Sequence, residues 1–274
     1  MDVRIAVIGS GKIGSAIIKS IRQKYKEIKL IATRRNEESI KSLIDLGVEV
    51  TKDNNYAVSK SDLIILSVKP HHFPTVLKQV DKSLWKNKIV VSIMAGVKLS
   101  TLSSLIKEAE VYRAMPNINA IVSKSSTAFA ENNGQHKELV EEVFKTLGNV
   151  YWLPEEYLDI WTALVGSGPA FLSEIIDALI LGAVACGMPR EIAYGAILDV
   201  LEGTAEMLRN TSNHPIVLRD QVTTPAGTTI RGLMVLEAKG VKSALIETIE
   251  AAYKRAVEIG NEIDKNIRNL IYDG

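Results

Sequence analysis

The chain has 274 residues, 46% of them hydrophobic and 24% charged, with a formal net charge of +1. That length suits two modest domains with a sizeable core, and the composition excludes a disordered chain. The near-zero charge leaves no basic arm for nucleic acid, and a single cysteine, Cys186, excludes an internal disulfide.

Residues 3–8 form a β-branched apolar run, read as a buried strand, with no leader-like segment before it. Gly9-Ser10-Gly11-Lys12-Ile13-Gly14 follows at once, and then Ile13, Ala16, Ile17 and Ile21 repeat with helical spacing. A strand, G-x-G-x-x-G and a helix in this order predict dinucleotide binding. The first glycine makes the turn, the second lets a pyrophosphate approach, and the third lets helix and strand pack closely. A second strand, residues 29–33, ends on Arg34-Arg35 rather than on Asp or Glu. Two guanidinium groups in place of a carboxylate favour a ribose 2′-phosphate, hence NADPH, with NADH still possible.

A short third strand and a loop are expected over residues 47–54, and further strands at 62–70, 88–93 and 111–114, with extensions at 126–130 and 149–152 around a helix at 135–147. The run at 62–70 closes on Val68-Lys69-Pro70. The two after it end on Met94-Ala95-Gly96 and on Met115-Pro116-Asn117. All these ends face the sheet edge where ligands bind. Alternation of strands and helices to this point argues an α/β, doubly wound, mainly parallel sheet of Rossmann type over residues 1–153. His71 and His72 are adjacent rather than at ligand spacing, and no metal site is expected.

After Pro154 strand signals stop, and residues 154–274 read as an all-helical domain. Residues 171–186 are apolar nearly all round, so the helix there needs cover on every side, which a partner subunit would give. Glu174 and Asp177 make the same run a poor membrane span. Cys186, between Ala185 and Gly187, is expected to be a buried small hydrophobe. We therefore expect a soluble protein of a reducing compartment, the cytoplasm, with no nucleic-acid or membrane partner.

The most distinctive stretch is Asp220-Gln-Val-Thr-Thr-Pro-Ala-Gly-Thr-Thr-Ile-Arg-Gly-Leu-Met-Val-Leu-Glu237. Its second half starts a helix, with Thr224 or Thr228 as the expected N-cap. Free amides at that helix start, with hydroxyls beside them, suit a carboxylate or phosphate. The stretch resembles the C-terminal signature of the pyrroline-5-carboxylate reductases: a small-hydroxyl pair, Pro, Gly, a Thr pair and Gly-Leu-x-x-Leu-Glu. The Gly-rich loop, Val-Lys-Pro, Met-x-Asn and Gly166-Ser-Gly-Pro-Ala170 stand in family order, so the resemblance covers nearly the whole chain.

The resemblance implies NAD(P)H-dependent reduction of 1-pyrroline-5-carboxylate to L-proline, the last step of proline biosynthesis. It implies cofactor contacts at Gly9 to Gly14, Arg34, Arg35, Asn54, Val68, Lys69, Pro70, Ala95, Gly96, Met115, Pro116 and Asn117. It places substrate at Thr224, Gly227, Thr228 and Thr229, with the Thr229 hydroxyl at the imine nitrogen. It further implies a homodimer through the C-terminal domain, a higher oligomer of dimers being left open. Ser212-Asn213-His214-Pro215 departs from the family, where Glu often precedes His-Pro, and Phe171 stands where Tyr is common. A β-hydroxyacid dehydrogenase would need a base on the helix at 169–186, which has no Lys, Arg or His. A non-catalytic NADP(H) sensor would have no use for the threonine-rich stretch.

Overall fold

The computed structural model describes residues 3–34 and 40–272. Short Val/Ile/Leu runs become strands buried along their whole length: β1 (Ile5–Ile8), β2 (Leu30–Thr33), β4 (Leu63–Leu66) and β5 (Ile89–Ser92). With β3 (Glu49–Thr51), β6 (Glu110–Met115), β7 (Ser125–Ala130) and β8 (Gly148–Leu153) they make one sheet in the order 3-2-1-4-5-6-7-8. Ile5 pairs with Leu30 on one side and Leu63 on the other, so the order reverses at β1. Every pairing is parallel except β6 with β7. The link at 116–124 holds only a short 3-10 turn, Ile118–Val122, too little chain for the crossover a parallel partner needs.

Side-chain alternation along β1 splits the core into two layers. Ile5 and Val7 pack with Ile17 and Ile21 of α1 (Lys12–Lys24). Ala6 and Ile8 face the opposite layer, with Ala57 of α3 (Asn54–Ser59) and Phe73 and Val76 of α4 (Phe73–Gln79). Asp53 caps α3 by accepting the Tyr56 N–H at 3.0 Å. The remaining helices here are α2 (Ile40–Ile44), α5 (Leu99–Leu105), α6 (Lys137–Phe144) and α7 (Tyr157–Trp161).

Among the described residues only helices follow β8: after α7 come α8 (Gly168–Ala185), α9 (Arg190–Thr211), α10 (Pro215–Gln221), α11 (Thr228–Ala238) and α12 (Val241–Tyr272). Compactness divides the chain elsewhere than the expected 1–153 and 154–274. One unit is residues 1–167 with 251–274, and the other is 168–250. The reason is packing: α7 lies against β7, and Ile263 and Ile267 near the end of α12 join the sheet's second core layer. Close approach there needs glycine. Gly96 has φ +77°, and a Cβ on it would lie 2.7 Å from Gly260 Cα.

Between α7 and α8 the helix widens into a single π turn, Thr162–Gly166, where the Ser167 N–H donates to Thr162 O at 3.0 Å. Such widenings recur at functional sites. The 168–250 unit has scarcely any core of its own. Ile180 and Ala193 are its only buried hydrophobics, while Leu172, Leu179, Ile192, Val235 and Leu236 are all at least half exposed. Cys186 is exposed rather than buried, because the helix it follows has almost no covered face within one chain. His214 is structural: its Nδ1 accepts the Ile216 N–H at 3.2 Å and caps α10.

Candidate active site

The parallel strands bring the C-terminal ends of β1, β2, β4, β5 and β6 to one edge. At the end of β1 the Gly-rich loop is shaped by what a side chain would strike. Gly9 has φ +90°, and a Cβ there would meet Val68 Cγ1 at 2.7 Å. A Cβ on Gly14 would meet Gly9 O at 2.5 Å, whereas one on Gly11 would meet nothing within 4 Å. The outer two glycines therefore allow close packing, and the middle one leaves open space beside the start of α1.

Gly11 is the N-cap of α1, and no side chain satisfies that helix start. Its first-turn amides, from Lys12 and Ile13 on, remain available for an anion. Ser10 is buried, its N–H and hydroxyl both donating to Thr33 O, at 3.0 and 3.2 Å. Arg34, at the end of β2, turns back onto this loop. Its Nη1 donates to Ser10 O and lies 3.4 Å from Ser15 Oγ. A permanent positive charge is thus fixed at the loop's rim rather than solvated. Arg35 lies outside the described residues.

The other expected positions differ in character. Lys69 is exposed at the end of β4, with Val68 and Pro70 half-buried beside it. Asn54 is 8% exposed, and its amide donates to Gln79 Oε1 at 2.7 Å, so its side chain ties α3 to α4. Ala95 is half-buried, while Gly96 is buried against Gly260 and serves packing. At the end of β6, Met115 is half-buried and Pro116 and Asn117 are buried. Asn117 Nδ2 donates to Val165 O at 3.2 Å, and its buried Oδ1 meets no donor among the described residues.

In the helical unit the threonine-rich stretch folds into a turn and a helix start. Gly227 N–H donates to Thr224 O at 3.1 Å, with Pro225 and Ala226 between them and Ala226 at φ +57°. Proline followed by a positive φ makes a type II turn, a place that favours glycine over alanine. Neither expected N-cap, Thr224 nor Thr228, holds that position. Gly227 is the N-cap of α11, and no side-chain hydroxyl bonds to the helix start. A Cβ on Gly227 would lie 2.4 Å from Thr224 Oγ1, so threonine and glycine fit each other here. The amides of Thr228 and Thr229 are left uncapped, and the Thr229 side chain is half-buried.

One cluster escaped the sequence reading. Arg113 of β6 is buried and paired with Glu155 at 2.8 Å and Asp159 at 3.3 Å. A charge within the apolar run Val111-Tyr-Arg-Ala-Met115 was its only trace in the sequence.

The family profile described as pyrroline-5-carboxylate reductase dimerisation matches residues 155–259. Residues 4–96 match the one described as NADP oxidoreductase coenzyme F420-dependent. The pyrroline-5-carboxylate reductase of Methanosarcina acetivorans is 37% identical, over 94% of this chain and 98% of its own. That of Synechocystis is 35% identical, over 96% of this chain and 100% of its own. The chain belongs to the pyrroline-5-carboxylate reductase family. The crystal structure of the Plasmodium falciparum pyrroline carboxylate reductase with NADP bound superposes with a TM-score of 0.85 at 26% identity. It covers 94% of this chain and 98% of that one.

A family member of this kind takes a nicotinamide nucleotide, and the residues present fit one. The space over Gly11, the uncapped start of α1 and the Arg34 guanidinium suit a phosphorylated dinucleotide. The donorless buried Oδ1 of Asn117, at the same sheet edge, suits an amide-bearing ligand.

Proposed function

We propose that this chain divides the reductase reaction between its strand-bearing half, residues 1–153, which holds NAD(P)H, and its helical half, residues 154–274, which holds substrate and dimerises. The enzyme reduces the C=N bond of 1-pyrroline-5-carboxylate to give L-proline. The observation that carries this reading is near-full-length likeness to the family, joined to a Gly-rich loop whose shape leaves room for a pyrophosphate.

When bound, the dihydronicotinamide supplies the hydride that adds to the imine carbon. The residues supply placement. Amides of Thr228 and Thr229 at the start of α11 hold the substrate carboxylate, within the turn that Thr224 and Gly227 form. The protonated imine N–H donates to the Thr229 hydroxyl oxygen, which fixes the nitrogen while the carbon receives the hydride. The nitrogen's proton stays in place and becomes an amine N–H of proline. No strong general acid is needed, which agrees with the absence of a tyrosine hydroxyl at Phe171.

Arg34 and Arg35 favour NADPH over NADH, Arg34 already lying on the phosphate-binding loop. A homodimer through the C-terminal half covers the exposed apolar faces of α8, α9 and α11. The helical stretch Tyr157–Ala185 is long and apolar enough to cross a membrane, but it lies wholly within the part that matches the dimerisation profile. A second subunit is therefore the cover we assign to it. A reductive enzyme with one thiol suits a reducing cytoplasm.

The test is turnover of 1-pyrroline-5-carboxylate by the purified chain with each cofactor. We expect proline to form, with the lower KM for NADPH. Arg34→Asp should raise the NADPH KM by about ten-fold or more, the worth of one charge-assisted hydrogen bond, and affect NADH far less. Equal effects on the two cofactors would remove the 2′-phosphate role. No turnover with either would remove the reaction.

A further inference from the structure

Arg113 is a buried charge that the reductive step above does not use. Its side chain is 6% exposed and stands in a strand whose neighbours, Val111 and Ala114, are core residues. A cation in such a place persists only when well paired. Here Nη1 meets Glu155 Oε1 at 2.8 Å and Nη2 meets Asp159 Oδ1 at 3.3 Å. The same Glu155 oxygen accepts the Leu99 N–H at 2.7 Å, and Leu99 opens the helix that follows the 94–96 turn.

The contacts continue at every second residue along β6 and just past its end. Met115 O accepts from Trp161 Nε1 at 3.1 Å, and Asn117 Nδ2 donates to Val165 O at 3.2 Å. Residues 113, 115 and 117 thus engage 159, 161 and 165 in order, joining the strand end to α7 and the π turn. Through Glu155 the same frame holds the start of α5. The 115–117 turn and the helix start at Leu99, three residues past the 94–96 turn, are therefore tied to one network centred on Arg113.

We propose that Arg113 and Trp161 are positioning residues for hydride transfer, holding these two turns as a single floor under the nicotinamide end of the cofactor. The inference rests on the reading that both turns face the cofactor. Misplacement of reacting groups by about 1 Å can cost about a hundred-fold in rate, so a shift of the floor is felt in the chemical step.

The experiment is steady-state kinetics with NADPH and with NADPH deuterated at the transferred position, alongside the unfolding midpoint. Trp161→Phe removes one donor and keeps an aromatic, apolar side chain. It should lower kcat about five-fold, the worth of one hydrogen bond, and raise the isotope effect, leaving the KM for 1-pyrroline-5-carboxylate unchanged. Arg113→Met should lower kcat by about a hundred-fold. Arg113→Lys, a point charge in place of a fork, should recover part of that loss. Wild-type kcat and isotope effect in these variants, with only a lower unfolding midpoint, would overturn the proposal. If Arg113→Met does not fold, Trp161→Phe decides alone. A wild-type chain without reductase activity would bring down the underlying functional reading. An active wild type with unaffected variants would bring down this inference only.

Discussion

The sheet and the helical unit solve the burial problem in opposite ways. Strands β1, β2, β4 and β5 are buried along their whole length, with helices on both faces. In residues 168–250 only Ile180 and Ala193 are buried hydrophobics, though α8 is apolar almost throughout. Burial of a Leu or Ile side chain stabilises by about 1.5–3 kcal/mol, a gain the first region completes within one chain while the second leaves most of its apolar faces open. The lesson is that a complete core needs no further cover, whereas an incomplete one calls for a second surface, which the proposed dimer would supply.

The strongest way to break this contrast is to charge the uncovered face. Leu179→Arg with Val235→Arg places two cations where a partner's apolar surface should sit. We expect light scattering to show loss of the dimer and activity to fall with it, while NADPH titration still reports cofactor binding. An intact dimer would mean that the exposed faces serve something else.

Gly14→Ala tests the other side. Its Cβ would lie 2.5 Å from Gly9 O and 3.0 Å from Ser67 Oγ, so the loop backbone must shift. We expect kcat/KM with NADPH to fall by about a hundred-fold with the dimer unchanged. If dimerisation fell as well, the two regions would not be separable.

Thr229 sharpens the comparison within the helical unit. Because Gly227 is the N-cap and no hydroxyl caps α11, Thr229→Ala should leave the unfolding midpoint nearly unchanged. It should lower kcat by about 10- to 150-fold, the worth of a hydrogen bond to a charged group, and Thr229→Ser should keep most activity. A fully active Thr229→Ala would leave the backbone amides as the whole substrate grip.

The smallest effect concerns acid stability of the sheet region. Burial, the largest single influence, pushes the Glu110 carboxyl up, yet hydrogen bonds from the Tyr112 hydroxyl and from His136 together hold it below the ordinary glutamate value. A carboxyl lowered on folding stabilises above its unfolded pKa, about 4.3, and loses that contribution as pH falls through the folded value. Glu110→Gln should therefore flatten the decline of the unfolding midpoint below about pH 4.3. An unchanged acid limb would remove Glu110 from the account.

The sequence by itself determined what depends on near neighbours. Apolar runs closed by Gly and Pro marked the strands, and helical spacing after Pro154 marked the change of architecture. The spacing of Gly9, Gly11 and Gly14 predicted a cofactor loop, and Gly9 and Gly14 answer local packing demands while Gly11 leaves open space. The threonine-rich stretch was legible as a helix start, though not its cap, since the fit of Gly227 to Thr224 Oγ1 is a matter of distance. Tertiary structure alone decided the rest: the reversal of β7, Arg34 folded back on Ser10, Gly96 against Gly260, and Arg113 between Glu155 and Asp159. Arg34 lies 24 residues from Ser10, Arg113 lies 42 from Glu155, and Gly96 lies 164 from Gly260. Periodicity and propensity report which face of an element is apolar. They carry no information about which distant residue will lie across from it, and that is settled only when the layers pack.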